Sequence, residues 1–415
     1  MKIALLHYSG PPVVGGVEQT LYYHAIHLLQ RGLQPMLIVG EGKSFDANIP
    51  VKVLPELFSR HPRVLQVKRE LDAGEVGPAF QSLQEDIERA LLELLQGVEV
   101  LIVHNALTLH KNLALTAALW ELLIADELPP LIGWHHDFAW DRPGYREELH
   151  EAIPWSLLRQ PWPGVTNVVV SQAQRARLAR LYKIDPARLT VIPPGIDPAN
   201  LGRWSYLAQR LVEELGLNKA DLIFLLPARI TRRKNIQFAL RILAELRAIS
   251  NRDVRLIVTG PPGPHNPANA AYLEELLALR EELDLEEHAH FLYQMGASPP
   301  QYIDDVTMAN LYLICDALLF PSLDEGFGIP LLEAAYTRMP IFCSDIPPFR
   351  EVGGADVHAF DLGAEPSQIA RAIASRMLED PVSRMRARAR KQYSWENIID
   401  QQVLPLLERV RDEQP

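Results

Sequence analysis

The chain has 415 residues, 48% of them hydrophobic and 22% charged; these are values of a globular protein of two or three domains and exclude a disordered or fibrous one. Lys and Arg number 41 against 52 Asp and Glu, a formal net charge of -11, which argues against a nucleic-acid binder but leaves room for a local basic pocket. No apolar run approaches the roughly 18 residues needed to cross a bilayer. The N-terminus reads as a buried strand and not as a signal peptide. The two cysteines, Cys315 and Cys343, give neither a disulfide framework nor metal-ligand spacing. A soluble, cytoplasmic protein is expected.

Short apolar runs alternate with longer helical patterns, which is how a parallel sheet with crossover helices is written. In the first half the strands are expected at 2–7, 35–39, 98–104, 131–135 and 165–170, with helices at 17–29 and 85–95. Segment 54–80 reads as a partly helical excursion. Pro193, Pro194 and Gly195 then disfavour a helix and suit a turn into a linker. The alternation restarts with strands at 222–227, 254–259, 290–293, 317–320 and 340–343 and helices at 236–248, 271–283 and 329–336. The fold class is therefore α/β, with two Rossmann-like lobes in tandem, each presenting its strand C-termini along one edge of a shared cleft.

Residues able to do chemistry fall at those edges. Gly15 and Gly16 follow the first strand and open a helix, where backbone N–H groups can approach an anion; the alternative is a tight turn, and the dinucleotide G-x-G-x-x-G spacing is missing. After the first strand of the second half come Arg229, Arg232, Arg233 and Lys234. Cations at a helix start oppose the helix dipole unless an anion sits there, so an anion clamp competes with a solvated basic turn. In segment 320–335 a buried strand runs into Glu325-Gly326-Phe327-Gly328, with Pro330 suited to a first helical turn and Glu333 one turn on. Two carboxylates flanking free backbone N–H groups suit the vicinal hydroxyls of a sugar. His135, His136 and Asp137 follow another strand, in a stretch that also holds Trp134, Trp140, Trp155 and Trp162. A histidine there can donate, act as an acid or bind a metal, and the tryptophans can pack or present faces to a sugar. No zinc-ligand spacing and no D-x-D motif accompany them.

Together these residues resemble the retaining family 4 glycosyltransferases of the GT-B fold. The stretch from Glu325 to Glu333 resembles that family's E-x7-E element, Arg229 and Lys234 its spaced Arg and Lys, and Gly15-Gly16-Val17-Glu18 its N-terminal glycine loop. Two positions depart from the pattern: Pro194 stands where Asn is usual, and Thr337-Arg338-Met339 replaces a small-Gly-x sequence. The resemblance implies an N-terminal acceptor-side lobe over 1–197, completed by a C-terminal helix at about 395–415, and a nucleotide-sugar-binding lobe over 198–394. It implies a hexosyl transfer with retention from a nucleotide-diphosphate sugar to a small-molecule, glycan or lipid-carrier hydroxyl, with no cofactor and no metal. By the same resemblance Arg229 and Lys234 neutralise the diphosphate, with Gly15 and Gly16 approaching it. Glu325 orients the sugar, aided by the N–H groups of Gly326, Phe327 and Gly328. Glu333 takes the ribose, Tyr293 lies near the base, and His136 rather than His135 lies beside the donor sugar. A sugar-nucleotide epimerase of the same fold, a nicotinamide-dependent oxidoreductase and a catalytically silent nucleotide-sugar sensor are the competing readings.

Overall fold

The computed structural model describes residues 1–13, 15–264, 268–295 and 302–412. The chain forms two compact units, one of Met1–Gly195 with the chain from Trp395 onward, the other of Ile196–Ser394. Val14, which lies in the expected glycine loop, and 413–415, at the end of the expected last helix, lie outside the described residues.

The first unit holds β1 (Lys2–His7), β2 (Gln34–Val39), β3 (Val51–Val53), β4 (Val100–His104), β5 (Leu131–His135), β6 (Thr166–Val169) and β7 (Thr190–Val191). They pair in parallel in the order β3-β2-β1-β4-β5-β6-β7. Parallel neighbours need crossovers, so both faces are covered and the central strands β1, β2 and β4 are apolar over most of their length rather than alternating, while the edge strand β3 is mostly exposed. The strand residues divide between two cores by their parity: Ala4, Leu6, Met36, Ile38, Leu101 and Val103 enter one, and Ile3, Leu5, Leu37, Val39, Val100 and Ile102 the other.

The second unit holds β8 (Leu222–Leu226), β9 (Val254–Val258), β10 (Ala289–Phe291), β11 (Ala317–Phe320), β12 (Ile341–Ser344) and β13 (His358–Phe360), in the order β10-β9-β8-β11-β12-β13 and again parallel. The strand order reverses between β1 and β4 in one sheet and between β8 and β11 in the other. Crossovers leave in opposite directions at such a point and open a crevice beyond the strand C-termini.

Three details differ from the sequence reading. The strand expected at 290–293 ends at Phe291, and Leu292–Gln294, including Tyr293, form a 3-10 turn. The helix expected from 85 begins at Pro78, with proline in its first turn. The helix expected as one piece from Trp395 is interrupted by a π-helical turn at Ile399–Val403. Pro405 follows one turn on and lacks the N–H that an α-helix would use, so the backbone widens just before it.

The units divide between Gly195 and Ile196, earlier than the expected Asp197. Ile196 N–H donates to the Tyr393 carbonyl at 2.6 Å and Ile196 bridges Ser394. A Cβ on Gly195 would come within 2.8 Å of the Trp395 ring. Trp395 is buried, stacks on Tyr23 at 5.4 Å and meets His24 edge-on at 5.5 Å. With Ile398, Ile399, Val403 and Leu407 it returns the end of the chain to the core beside Leu21, Ala25 and Leu28. Among the described residues no helix is long and apolar enough to cross a membrane. Because Trp395 anchors this return, Trp395→Ala is expected to lower unfolding free energy by about 3–5 kcal/mol. Urea denaturation followed by circular dichroism measures it, and a change below about 1 kcal/mol would show that the C-terminal segment is not held by that side chain.

Candidate active site

In the second unit the reversal point brings together residues that the sequence places about ninety positions apart. β8 runs out to Arg229 and then to the 3-10 turn Arg232–Lys234, whose C-cap Asn235 takes φ 51° and starts the helix Ile236–Ser250. β11 runs out to Ser322 and Glu325. Lys234 Nζ donates to Glu325 Oε1, Arg233 Nη1 donates to Glu325 Oε2 at 3.1 Å, and Ser322 Oγ donates to Glu325 Oε1 at 2.7 Å. The Arg233 carbonyl also accepts from Leu323 N–H at 2.8 Å, which ties the two loops by backbone. Lys234 Nζ sits 4.8 Å from the centre of the Phe320 ring. Glu325 is 9% exposed and Lys234 14%, so neither charge is well hydrated and each depends on the other. Arg229 is exposed and makes no hydrogen bond or ion pair among the described residues.

The glycine loop caps the helix Ile329–Tyr336. Gly328 takes φ 106°, its Cβ would meet the Phe349 ring at 2.8 Å, and no side chain caps the helix. Glycine is required there on both counts. Gly326 faces open space, and Phe327 is half-exposed. Glu333 is exposed on the same helix and accepts from the Tyr312 hydroxyl at 2.5 Å. Burial, reinforced by that carboxylate, pushes the Tyr312 phenol up, so it remains a donor. Tyr293 is half-buried against the core of this unit.

In the first unit Gly15 caps the helix Gly16–Gln30 with no side-chain hydrogen bond, and Gly16 has open space around it. Beside it, β1, β4 and β5 each end in histidine: His7, His104 and His135. With His24 and His136 they form one aromatic patch; His24 stands 5.7 Å from His104 and 4.6 Å from Trp134, and His104 stands 5.6 Å from His136. His135 has both ring nitrogens engaged, Nε2 with Asn167 Oδ1 at 2.8 Å and Nδ1 with Thr108 Oγ1 at 3.3 Å. His136 engages one, Nε2, with His104 Nδ1 at 3.3 Å. Asp137 is ion-paired with Arg142.

The tryptophans do not form the aromatic wall that sugar contact would need. Trp134, Trp155 and Trp162 are all buried in the core; half-buried Trp140 donates to the Trp155 carbonyl at 3.0 Å and is covered by Arg159. Both cysteines are buried free thiols. Among the described residues no three His, Cys, Asp or Glu side chains gather in a way that could hold a metal ion.

Arg233, Ser322, Tyr312 and His104 were not singled out from the sequence. Arg233 was one cation of a run, and Ser322 and Tyr312 carry no motif. A signal for His104 existed: three of the strand candidates end in histidine.

Two family descriptions match the chain, Glycosyltransferase Family 4 over residues 14–200 and Glycosyl transferases group 1 over residues 208–393. The chain belongs to the family 4 glycosyltransferases. It is a glycosyltransferase, and its two parallel α/β units are those of the GT-B fold. It is similar to mannosylglucosylglycerate synthase of Petrotoga mobilis, 26% identical over 376 residues, covering 85% of this chain and 84% of that protein. The enzyme of the same name from Thermotoga maritima is 25% identical, covering 84% of this chain and 83% of that protein. The Anabaena protein Alr3699/HepE, solved in complex with UDP-glucose, aligns over 99% of this chain and 100% of that one, with 20% identity and a TM-score of 0.36.

The histidine patch gives the glycosyltransferase a pH-dependent stability. Burial pushes His24 and His136 down to about 3 and His135 to about 4, helped for the first two by neighbouring histidines, and holds His104 well below its ordinary value. In the unfolded chain each titrates near 6.5. Below that value the unfolded chain therefore binds more protons, and stability falls with pH; above it both states are neutral and these groups add no slope. His24 has no hydrogen-bond partner on either ring nitrogen among the described residues. His24→Phe is therefore expected to reduce the loss of stability between about pH 6 and pH 5 by roughly 1 kcal/mol. Urea midpoints at a series of pH values test this, and parallel curves for the two proteins would refute it.

Proposed function

We propose that this glycosyltransferase moves a hexosyl group from a nucleotide-diphosphate sugar to a hydroxyl acceptor with retention of anomeric configuration and without a metal ion. The observation that carries the reading is the Arg233–Lys234–Glu325 cluster at the β8/β11 reversal, with Arg229 a few residues before it and without a partner among the described residues. Cleavage of the bond from the sugar C1 to the diphosphate oxygen builds negative charge on the leaving group and positive character on the sugar. Fixed cations at the first charge lower the barrier without reorganising, which is the largest catalytic contribution such a site can make. Arg229 and Lys234 take that role; in the first unit the helix start at Gly15 and Gly16, with no side-chain cap, is suited to an anion. Glu325, held by Ser322 and its two cations, orients the sugar hydroxyls together with the N–H groups of Gly326, Phe327 and Gly328. Glu333, held by Tyr312, takes the ribose hydroxyls and Tyr293 serves the base; in the first unit His136 serves a hydroxyl of the sugar.

Two pairings support the choice of retention. Glu325 is engaged by three donors, and Asp137 is paired with Arg142, so neither carboxylate is free to deprotonate an acceptor from behind the sugar. The acceptor hydroxyl instead enters on the leaving-group side, forms its bond to C1 there and passes its proton to a diphosphate oxygen. The relatives aligned along most of their length are named for mannosylglucosylglycerate, so mannose nucleotides and glucosylglycerate are the first donor and acceptor to try.

Arg229→Ala should lower kcat/KM by about 10- to 160-fold, the loss of one charge-assisted contact, while leaving stability unchanged, because the Arg229 side chain makes no hydrogen bond or ion pair among the described residues. Lys234→Ala should cost at least as much and also lower stability, because it leaves a nearly buried carboxylate with one cation fewer. Steady-state kinetics in excess EDTA, with thermal unfolding of each variant, separate these outcomes. Wild-type rates in both would overturn the clamp, and loss of all activity in EDTA that Mg²⁺ or Mn²⁺ restores would overturn the metal-free reading.

Stereochemistry is tested independently. Early-time proton NMR should show an α-linked product from an α-linked donor, and Glu325→Gln should impair its formation because an ionised acceptor is lost. A β-anomer appearing first would overturn retention.

A further inference from the structure

His104 has no part in the reading above, yet it touches the histidine that does. It is fully buried at the end of β4, stacked on Trp134 at 5.7 Å. Its Nδ1 lies 3.3 Å from His136 Nε2, and its Nε2 is buried with no hydrogen-bond partner among the described residues. His136 is also held through its backbone. Its N–H donates to Asn105 Oδ1 at 2.8 Å, and its carbonyl accepts from Gln174 Nε2 at 2.9 Å. Asn105 itself takes φ 60°, a conformation that asparagine tolerates, and this turn directly follows His104. His136 is therefore held at two backbone atoms and one ring atom, and Nδ1 is its one nitrogen with no partner among the described residues.

Burial keeps both rings uncharged, so a single proton lies between them and two arrangements compete. In the first, His136 Nε2–H donates to His104 Nδ1. His104 must then carry its own proton on Nε2, which puts an N–H into the core with no acceptor among the described residues. In the second, His104 Nδ1–H donates to His136 Nε2, and the unpartnered atom is a lone pair. Orphaned buried N–H groups are the rarer and costlier of the two. In the second arrangement His136 carries its proton on Nδ1, the nitrogen left for a ligand.

We propose that His104 is a positioning residue that fixes His136 as its Nδ1–H tautomer, so that His136 offers a hydrogen-bond donor, and not a base, to a hydroxyl of the bound sugar. The contact with the sugar rests on the donor-site reading of His136 given above; the hold of His104 on the ring does not. A lone pair at that place would be a candidate base for activating water or an acceptor, whereas an N–H orients a hydroxyl and leaves the proton of the acceptor to the leaving group. The tautomer set by the neighbouring hydrogen bond thus decides which chemistry the imidazole supports.

The test begins with the wild-type enzyme, labelled with ¹⁵N histidine. Long-range ¹H–¹⁵N correlations should give His136 a protonated, pyrrole-type Nδ1 and a pyridine-type Nε2; the reverse assignment would overturn the proposal without any variant. His104→Phe keeps a ring against Trp134 but removes both nitrogens. It should lower kcat by about tenfold, the loss expected of one neutral hydrogen bond's ordering, with donor KM little changed. Combined with His136→Ala it should add nothing further, because its effect passes through His136. Additive losses would show that His104 acts on stability alone and would overturn the positioning role. If His136 is the Nδ1–H tautomer but His136→Ala transfers sugar at the wild-type rate, the donor-site reading fails and the sugar contact with it, while the hold of His104 on the ring stands.

Discussion

A parallel sheet cannot join neighbouring strands by tight turns, and most of this structure follows from that constraint. Each strand must be followed by a crossover, and each crossover leaves from the same edge. Residues distant in sequence meet at that edge wherever the strand order reverses. In the second unit this places the loop after β8 against the loop after β11, so that Lys234 reaches Glu325. In the first it places His7, His104 and His136 within one patch. Neither set could be assembled by local structure. Both rest on the apolar strands behind them, whose residues are almost entirely out of water.

The two edges solve the burial of polar groups differently. Glu325 is paired, with two cations and a hydroxyl sharing its two oxygens. Removing one partner from such a pair is far more damaging than the pair is stabilising, because it strands the other charge. The histidine patch instead loses its charge. Its members sit among one another and against Trp134, and protonating any of them would cost both desolvation and mutual repulsion. A guanidinium cannot take that second route at ordinary pH, whereas imidazole takes it readily, so the residue types at each edge match the electrostatics found there.

What could be read from the sequence, and what could not, divides along the same lines. The longer strands and five of the helices were legible because each carries its periodicity or its apolar run within itself, as do residues 222–226 or 329–336; the helices Leu113–Ile124 and Pro366–Leu378 were not named. β3, β7 and β13 were not, being two or three residues long and recognisable by pairing alone. The E-x7-E element and the Arg–Lys spacing were visible because they are local. The contact from Arg233 to Glu325 and the chain from His104 to His136 were not, because both depend on strand order. Trp134, Trp155 and Trp162 misled for a related reason: a tryptophan placed after a strand is compatible with packing and with sugar binding, and burial decides between them. The break in the last helix was readable in principle from Pro405, whose missing N–H the backbone accommodates a turn earlier.

The pairing of Lys234 with Glu325 does not consume the cations that the proposed donor needs. An ammonium has three N–H groups, and one is committed to Glu325; a guanidinium has five, and Arg233 commits one to Glu325 and one to the Asp324 carbonyl. Arg229 commits none among the described residues. Arg229, Arg233 and Lys234 against Glu325 leave these four side chains with more positive than negative charge, which suits an anionic diphosphate. The carboxylate therefore serves the empty site as well as the sugar: it holds Lys234 and Arg233 in place before a ligand arrives, so that less ordering is left to be done when a phosphate binds. A site built from the cations alone would repel itself in the absence of donor. With Glu325 at its centre the cluster is stable when empty and still attractive to an anion, so the support of the ligand-free structure and the proposed contact with the sugar can fall to the same residue.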